Sequence, residues 1–96
     1  AATKGAYNYS DLNRVERAVA EISSMAGLSL STKTDWAMWD IPKRSDMERY
    51  LNNIRAIRRF CDSALPLPES MDYLTYEYAN NIELILVSGY EKVGVT

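Results

Sequence analysis

Histidine is absent from this chain of 96 residues, and cysteine occurs once. Without histidine, the sequence excludes His-based general acid–base catalysis, Ser–His and Cys–His nucleophile pairs, and His-ligated zinc. A single cysteine, Cys61, excludes an intramolecular disulfide and a cysteine-cluster metal site. We therefore expect no catalytic residues, no cofactor and no bound metal, and we predict that the protein is not an enzyme.

Long apolar runs are also missing, because no stretch approaches the roughly 18 residues that a membrane span needs. The segment AATKGAYNYS at residues 1–10 has no apolar core of a secretory signal. The four glycines are isolated, so no glycine-rich phosphate loop is present. A formal net charge of −2 lacks the basic excess of proteins that coat nucleic acid. We expect a chain that is made and held in a cytoplasm, without a membrane partner.

The sequence shows a clear helical periodicity of apolar residues. Apolar residues recur at spacings of three and four in residues 10–26, 45–62 and 75–88. The pattern predicts a single all-α domain over residues 1–96, a small three-helix bundle. The tail at 90–96 alternates valine with polar residues, which predicts an extended or frayed segment.

Capping residues set the predicted helix ends. Asn8 or Ser10 is suited to cap the first helix, and Gly27 to end it. Ser45 opens a capping-box pattern, Ser45-Asp46-Met47-Glu48, at the second helix. Thr75 is suited to cap the third helix, and Gly89 to end it.

The connector at residues 28–44 is long for a helical bundle, where about 2–8 residues are usual. It contains Trp36 and Trp39, and we expect both to be buried as the connector packs over the helices, because a buried tryptophan removes about 150–250 Å² from water. The predicted core consists of Leu12, Val15, Val19, Ile22, Trp36, Trp39, Met47, Leu51, Ile54, Ile57, Ile82 and Leu86.

The three predicted helices contain a weak internal sequence repeat, which reads LNRV, LNNI and ANNI at residues 12–15, 51–54 and 79–82. With the fourth residue of each facing the core, Asn13, Asn52 and Asn80 lie about 160° away around the helix. We therefore expect all three asparagines to face solvent.

Paired carboxylates and the cysteine are the candidates for chemistry. Asp35 and Asp40 flank the two tryptophans, and such a pair can bind sugar or catalyse its hydrolysis. The favoured interpretation is that Asp40 stabilises a turn before Ile41. Cys61 lies on an apolar stripe, which favours a buried, inert thiol.

The second helix is basic. Residues 43–62 contain six Lys or Arg against three Asp or Glu, whereas residues 69–91 contain five acidic residues and no basic one. Arg55, Arg58 and Arg59 could contact nucleic-acid phosphates. The favoured interpretation is intramolecular, with the basic helix beside the acidic segment.

Outward apolar residues on the third helix suggest a protein interface. With Ile82 facing inward, Leu84 and Val87 fall on the outer side. Six of the seven tyrosines lie near the two ends of the chain, and tyrosine is enriched at interfaces. The predicted interface residues are Tyr76, Leu84, Val87 and Tyr90.

Several short sequence segments, in a fixed order along the chain, carry a resemblance to a known group of proteins. They are YNYSDLNRVE at 7–16, TKTDW at 32–36 with DIP at 40–42, DMERY at 46–50 with Asn53, and Pro66-Leu67-Pro68 leading into MDYLTY at 71–76 and ANNIE at 79–83. The pattern resembles a helical segment of prophage-encoded proteins from Gram-positive gut bacteria, which look like tail or other virion structural proteins. The resemblance covers most of residues 7–86 and leaves out 90–96.

This resemblance implies a non-enzymatic structural or assembly protein of a phage or prophage. Its partners would be other virion proteins or copies of itself, and it would be assembled into virions in the host cytoplasm. The alternative is a small nucleic-acid-binding regulator that uses the three arginines of the second helix.

Overall fold

Three α-helices form the protein, here described by a computed structural model of residues 8–94. Helix α1 spans Tyr9–Ala26, α2 spans Arg44–Phe60 and α3 spans Tyr76–Lys92, with a short 3₁₀ turn at Met71–Tyr73 before α3. Residues 8–94 contain no strand. The predicted all-α, three-helix architecture is therefore confirmed. None of the helices in this range combines the length and apolar character needed to cross a bilayer.

The three helices run in the same direction, which explains the long connectors. Along α1 and α3, successive contacts lie further from the N-terminus on both helices. Arg14 bonds Glu83, and Glu21, seven residues later, bonds Tyr90, which is also seven residues later. Likewise, Glu16 contacts Arg49 near the start of α2, whereas Ile22 and Ile57, further along both helices, lie against Gly89 of α3. Short loops join antiparallel neighbours, whereas a parallel bundle needs connectors that return along the whole length of a helix.

The start and end of α1 follow the capping prediction. The Asn8 side chain accepts hydrogen bonds from the backbone N–H groups of Ser10 and Asp11, at 3.0 and 3.2 Å. In return, the Asp11 carboxylate accepts from Asn8 N at 3.2 Å. Gly27 ends the helix with a φ of 75°, a left-handed conformation that glycine adopts at little cost.

The boundaries of α2 differ slightly from the prediction. The N-cap is Lys43 rather than Ser45, because Asp46 reaches back to accept a hydrogen bond from Lys43 N at 2.9 Å. Ser45 is exposed within the first turn. The helix ends at Phe60 instead of residue 62, since Asp62 adopts a left-handed φ of 55° and Ser63 N bonds back to the Arg58 carbonyl.

The prediction that Gly89 ends α3 is wrong. Thr75 caps the helix by accepting from Tyr78 N, but the helix continues through Gly89 to Lys92. A Cβ at position 89 would lie 3.0 Å from both Ile22 Cδ1 and Ile57 Cγ2, so this glycine allows close packing of the three helices. Residues 90–92 are consequently helical and not extended, and 95–96 lie outside the described residues.

Gly89→Leu is expected to destabilise the bundle by about 3 kcal/mol, the upper end of the usual cost of overpacking. The added side chain has no space between Ile22 and Ile57. Urea denaturation followed by circular dichroism measures the loss. The control is Glu91→Leu at an exposed position of the same helix, and an equal effect of both changes would contradict this role for Gly89.

The core agrees with the sequence except in the connector. The predicted residues that are buried are Leu12, Val15, Val19, Ile22, Trp36, Leu51, Ile54, Ile57, Ile82 and Leu86. Met47 is partly buried and packs against this core. Trp39 was predicted to be buried, and that prediction is wrong because 79% of it is exposed.

Candidate protein-contact surfaces

A buried carboxylate holds the first connector against α1. Glu16 is 1% exposed, and it accepts hydrogen bonds from the Trp36 indole N–H at 2.8 Å and from Lys33 N at 3.0 Å. Arg49 donates to both of its oxygens, at 2.6 and 2.9 Å. These bonds raise the pKa of the Arg49 guanidinium. We call Glu16 with its three donor residues the Glu16 clamp.

Two asparagines reinforce the clamp through the connector backbone. Asn13 accepts from Trp36 N at 2.7 Å and donates to Trp36 O at 2.8 Å. Asn53 donates to Ser31 O at 2.6 Å. The prediction that Asn13 faces solvent is therefore wrong, because the returning connector covers this flank of α1. Asn52 and Asn80 are exposed, as predicted.

Beyond Trp36 the connector forms a turn that displays apolar side chains. Asp40 N donates to the Ala37 carbonyl at 2.9 Å, and the Asp40 carboxylate accepts from Ala37 N at 2.8 Å. Met38, Trp39 and Ile41 are 72%, 79% and 88% exposed. We call residues 37–41 the connector tip. Its backbone is held in place while its large side chains remain in water.

Asp35 and Asp40 have separate partners rather than a shared cleft. Asp40 bonds within the turn, in agreement with the favoured interpretation. Asp35 is exposed and pairs with Lys33 at 2.9 Å, and this hydrogen bond lowers the pKa of the Asp35 carboxyl. Their arrangement gives no support to acid–base work on a sugar.

The predicted interface on the third helix lies largely in solvent. Tyr76, Leu84 and Val87 are 65%, 44% and 52% exposed, and they lie on one side of α3, which we call the α3 face. Tyr90 is half-buried at its edge, where its hydroxyl donates to the Glu21 carboxylate. Of the other tyrosines, Tyr73 precedes α3 and is exposed, and Tyr7 lies outside the described residues.

Carboxylates border the α3 face. Glu77 and Glu91 are exposed and lie seven residues before and after Leu84, so the three positions follow one line along the helix. Glu83 is engaged by Arg14, which donates to its two oxygens at 2.7 and 2.9 Å. Leu84 thus lies on one line of α3 between two exposed carboxylates, and the exposed Lys92 directly follows Glu91.

The contact with Glu21 has a measurable consequence for Tyr90. Burial, and secondly the hydrogen bond to Glu21, raise the pKa of the Tyr90 phenol to about 12. A phenol pKa raised in the folded state stabilises the protein below the unfolded pKa of about 10, and this stability is lost as pH rises towards 12. In a phenolate absorbance titration, Tyr90→Phe should remove one ionisation near pH 12. A titration that is unchanged in this variant would contradict the contact.

Two of the three arginines that were proposed to contact nucleic acid bond the second connector instead. Arg58 donates to Leu65 O at 2.6 Å, and Arg55 donates to the Pro68 and Glu69 carbonyls, both at 3.1 Å. Arg59 is exposed. These intramolecular bonds go to backbone carbonyls of the Pro-rich connector instead of acidic side chains. Arg55 and Arg58 are therefore held in place, and only Arg59 projects as the nucleic-acid alternative requires.

Cys61 was predicted to be a buried thiol. The thiol is partly buried, and its closest acceptor is the Arg58 carbonyl at 3.7 Å. No group of three or more Cys, Asp or Glu within residues 8–94 is placed to hold a metal ion.

Comparisons with protein-family models, with curated proteins and with solved structures found no match to this chain.

Proposed function

We propose that this protein is a non-enzymatic structural or assembly component of a phage or prophage that acts through protein contacts. The observation that carries the proposal is the α3 face, where three apolar side chains remain exposed on one side of a helix. Grouped apolar residues on a surface are typical of protein-contact sites. The resemblance of residues 7–86 to prophage-encoded virion proteins supplies the biological setting.

The polar groups of the molecule support a contact role over a reaction. The buried Glu16 carboxylate is occupied by Trp36, Lys33 and Arg49. The Asp40 carboxylate is hydrogen-bonded within its own turn, and Arg55 and Arg58 donate hydrogen bonds to the second connector. These polar side chains thus hold the connectors, while tyrosine, leucine and valine of the α3 face lie in solvent.

Prophage induction tests the proposal in a strain whose gene copy carries Leu84→Asp with Val87→Asp. Charges at the centre of a contact surface leave buried, unpaired carboxylates, so we expect particle yield to fall at least about a hundredfold. Phage particles are counted by plaque formation and electron microscopy. Mass spectrometry of purified particles should detect the wild-type chain.

A matched control adds the same two charges elsewhere. Asn52→Asp with Ala64→Asp alters exposed positions of α2 and the second connector, and this variant should give wild-type yields. The proposal fails if the wild-type chain is absent from particles and assembly intermediates and the Leu84 and Val87 variant assembles normally. Steeply salt-dependent DNA binding that is lost in Arg59→Ala would favour the regulator instead.

A further inference from the structure

A cleft of about 620 Å³ lies between the last turns of α2 and the second connector. Its lining includes three arginines of α2 and two apolar residues of the connector, namely Arg55, Arg58, Arg59, Pro66 and Leu67. Because the arginines are spaced by three and four residues, they share one face of the helix. We call this feature the arginine cleft. Its volume falls within the range of about 300–1,000 Å³ that is typical of small-molecule sites.

Backbone carbonyls hold two of these arginines in place without neutralising them. Arg58 donates through Nε to the Leu65 carbonyl at 2.6 Å, and Arg55 donates to two further carbonyls of the second connector. A guanidinium has five N–H donors, so Arg58 keeps the four donors on its Nη atoms. Within residues 8–94 these four donors and the whole Arg59 guanidinium have no hydrogen-bond or ion-pair partner. A guanidinium that is already held in place loses less conformational freedom when it binds a ligand.

The arginine cleft remains positive after the charges that line it or pair with it are counted. Asp62 also lines the cleft, but its carboxylate lies 3.8 Å from the ammonium of Lys92. Glu69, whose backbone carbonyl accepts from Arg55, adds one more carboxylate, so four cations stand against two carboxylates and the net charge is +2. A neighbouring cleft beside Arg55 adds no net charge, because its other charged residues are Lys43, Arg44, Glu48 and Asp72. No carboxylate within residues 8–94 forms an ion pair with any of the three arginines.

We propose that the arginine cleft binds a phosphate group, either as free phosphate or as the end group of a small organic ester. The planar N–H fork of arginine matches the oxygens of phosphate, and hydrogen bonds between ionised groups are the strong ones. Arg58 and Arg59 supply the unused donors, and Arg55 adds positive charge. A compact anion fits this arrangement better than a nucleic-acid backbone does, because two of the three arginines are drawn onto the connector. The inference is independent of the contact role proposed for the α3 face.

Nuclear magnetic resonance titration of ¹⁵N-labelled chain tests the site, with inorganic phosphate and phenyl phosphate as the two probes. Both should shift the Arg58 Nε–H signal and the backbone amides of residues 58–67, with a Kd of about 1 mM, as expected for a ligand of few atoms. Sodium chloride at the same ionic strength should not reproduce these shifts. Equal affinity for the two probes indicates free phosphate as the ligand. Tighter binding of phenyl phosphate indicates an ester whose organic part contacts Pro66 and Leu67.

Two matched variants separate a built site from the general attraction of anions to a basic helix. Arg59→Gln should weaken the binding of both probes about tenfold, because it removes a charge-assisted hydrogen bond. Arg59 is exposed, so this variant should keep the wild-type fold, which its spectrum without phosphate verifies. Arg44→Gln removes the same charge from an exposed position at the start of α2. It should change the affinity by less than about twofold, because solvent and salt screen charges at that separation.

Three results would overturn the inference. One is a titration without shifts at the cleft up to about 20 mM of either probe, well above the expected Kd. Another is an equal loss of affinity in Arg44→Gln and Arg59→Gln, which indicates attraction to the net charge of α2 and no defined site. The third is single-stranded DNA that binds through Arg59 and is not displaced by either probe, which favours the nucleic-acid alternative.

Discussion

Glu16→Ala is expected to lower the free energy of unfolding by about 3 kcal/mol, because the N–H groups of Trp36 and Lys33 lose their acceptor at a cost of about 1–3 kcal/mol each. Glu16 is almost completely buried and accepts bonds from Trp36, Lys33 and Arg49. Its loss leaves the Trp36 and Lys33 N–H groups without this acceptor and removes the counterion of Arg49, which keeps only its bond to the Ser31 carbonyl. In a small domain, this is a large share of a total stability of about 5–15 kcal/mol.

Urea denaturation measures the loss, and two further variants define its origin. Glu48→Ala removes an exposed carboxylate of α2 and should change stability by less than about 0.5 kcal/mol. Glu16→Ala combined with Arg49→Ala should cost less than the two single changes added together, because the groups are coupled. Additive effects, or a loss below about 1 kcal/mol for Glu16→Ala, would contradict the clamp.

Trp36→Ala should lower the free energy of unfolding by about 3–5 kcal/mol more than Trp39→Ala. Both changes remove a tryptophan side chain, and the two positions are three residues apart. Trp36 is 5% exposed and belongs to the core, so its removal leaves a cavity with the usual cost for a large aromatic residue. Trp39 is exposed on the connector tip, so its removal should change the stability of the monomer by less than about 0.5 kcal/mol.

Thermal and urea denaturation of dilute protein compare the two variants without a contribution from association. Tryptophan fluorescence gives an independent readout, since each variant retains the other tryptophan. The Trp36→Ala variant should emit at long wavelength like a solvated indole, and Trp39→Ala should emit at shorter wavelength. Equal destabilisation by both changes would show that both tryptophans are core residues.

The helices were predictable from the sequence because their signals are local. The apolar stripe of α1 repeats every three or four residues, and Asn8, Gly27 and Thr75 act within one turn of their own position. The same applies to the outward position of Leu84 and Val87, which follows from the period of α3 once Ile82 faces the core.

Gly89 and Ser45 show where local signals are ambiguous. Glycine near a helix end can be a C-cap or a site of close packing, and only the approach of Ile22 and Ile57 distinguishes the two. At α2, both Ser45 and Asp46 are suited to an N-terminal turn, and Asp46 is the one whose side chain bonds Lys43 N.

The packing of the connector could not be predicted from the sequence, because its contacts join residues that are far apart along the chain. Glu16 and Asn13 bond residues about 20 positions away, and α1 by itself gives no sign that they will be covered. The length of the connector was a usable signal, since 17 residues at 28–44 are too many for a short antiparallel turn. A parallel bundle, with polar residues of α1 facing the returning chain, accounts for both features.

Photocrosslinking from position 84 tests the central claim, that the exposed apolar side chains of α3 make this molecule a protein-contact module, most directly. A photoreactive phenylalanine derivative replaces Leu84, and cells that are producing phage particles are irradiated. We predict crosslinks to a virion protein or to a second copy of the chain, and we predict that they disappear when Val87→Asp is added to the same chain. Crosslinks confined to single molecules would contradict the account.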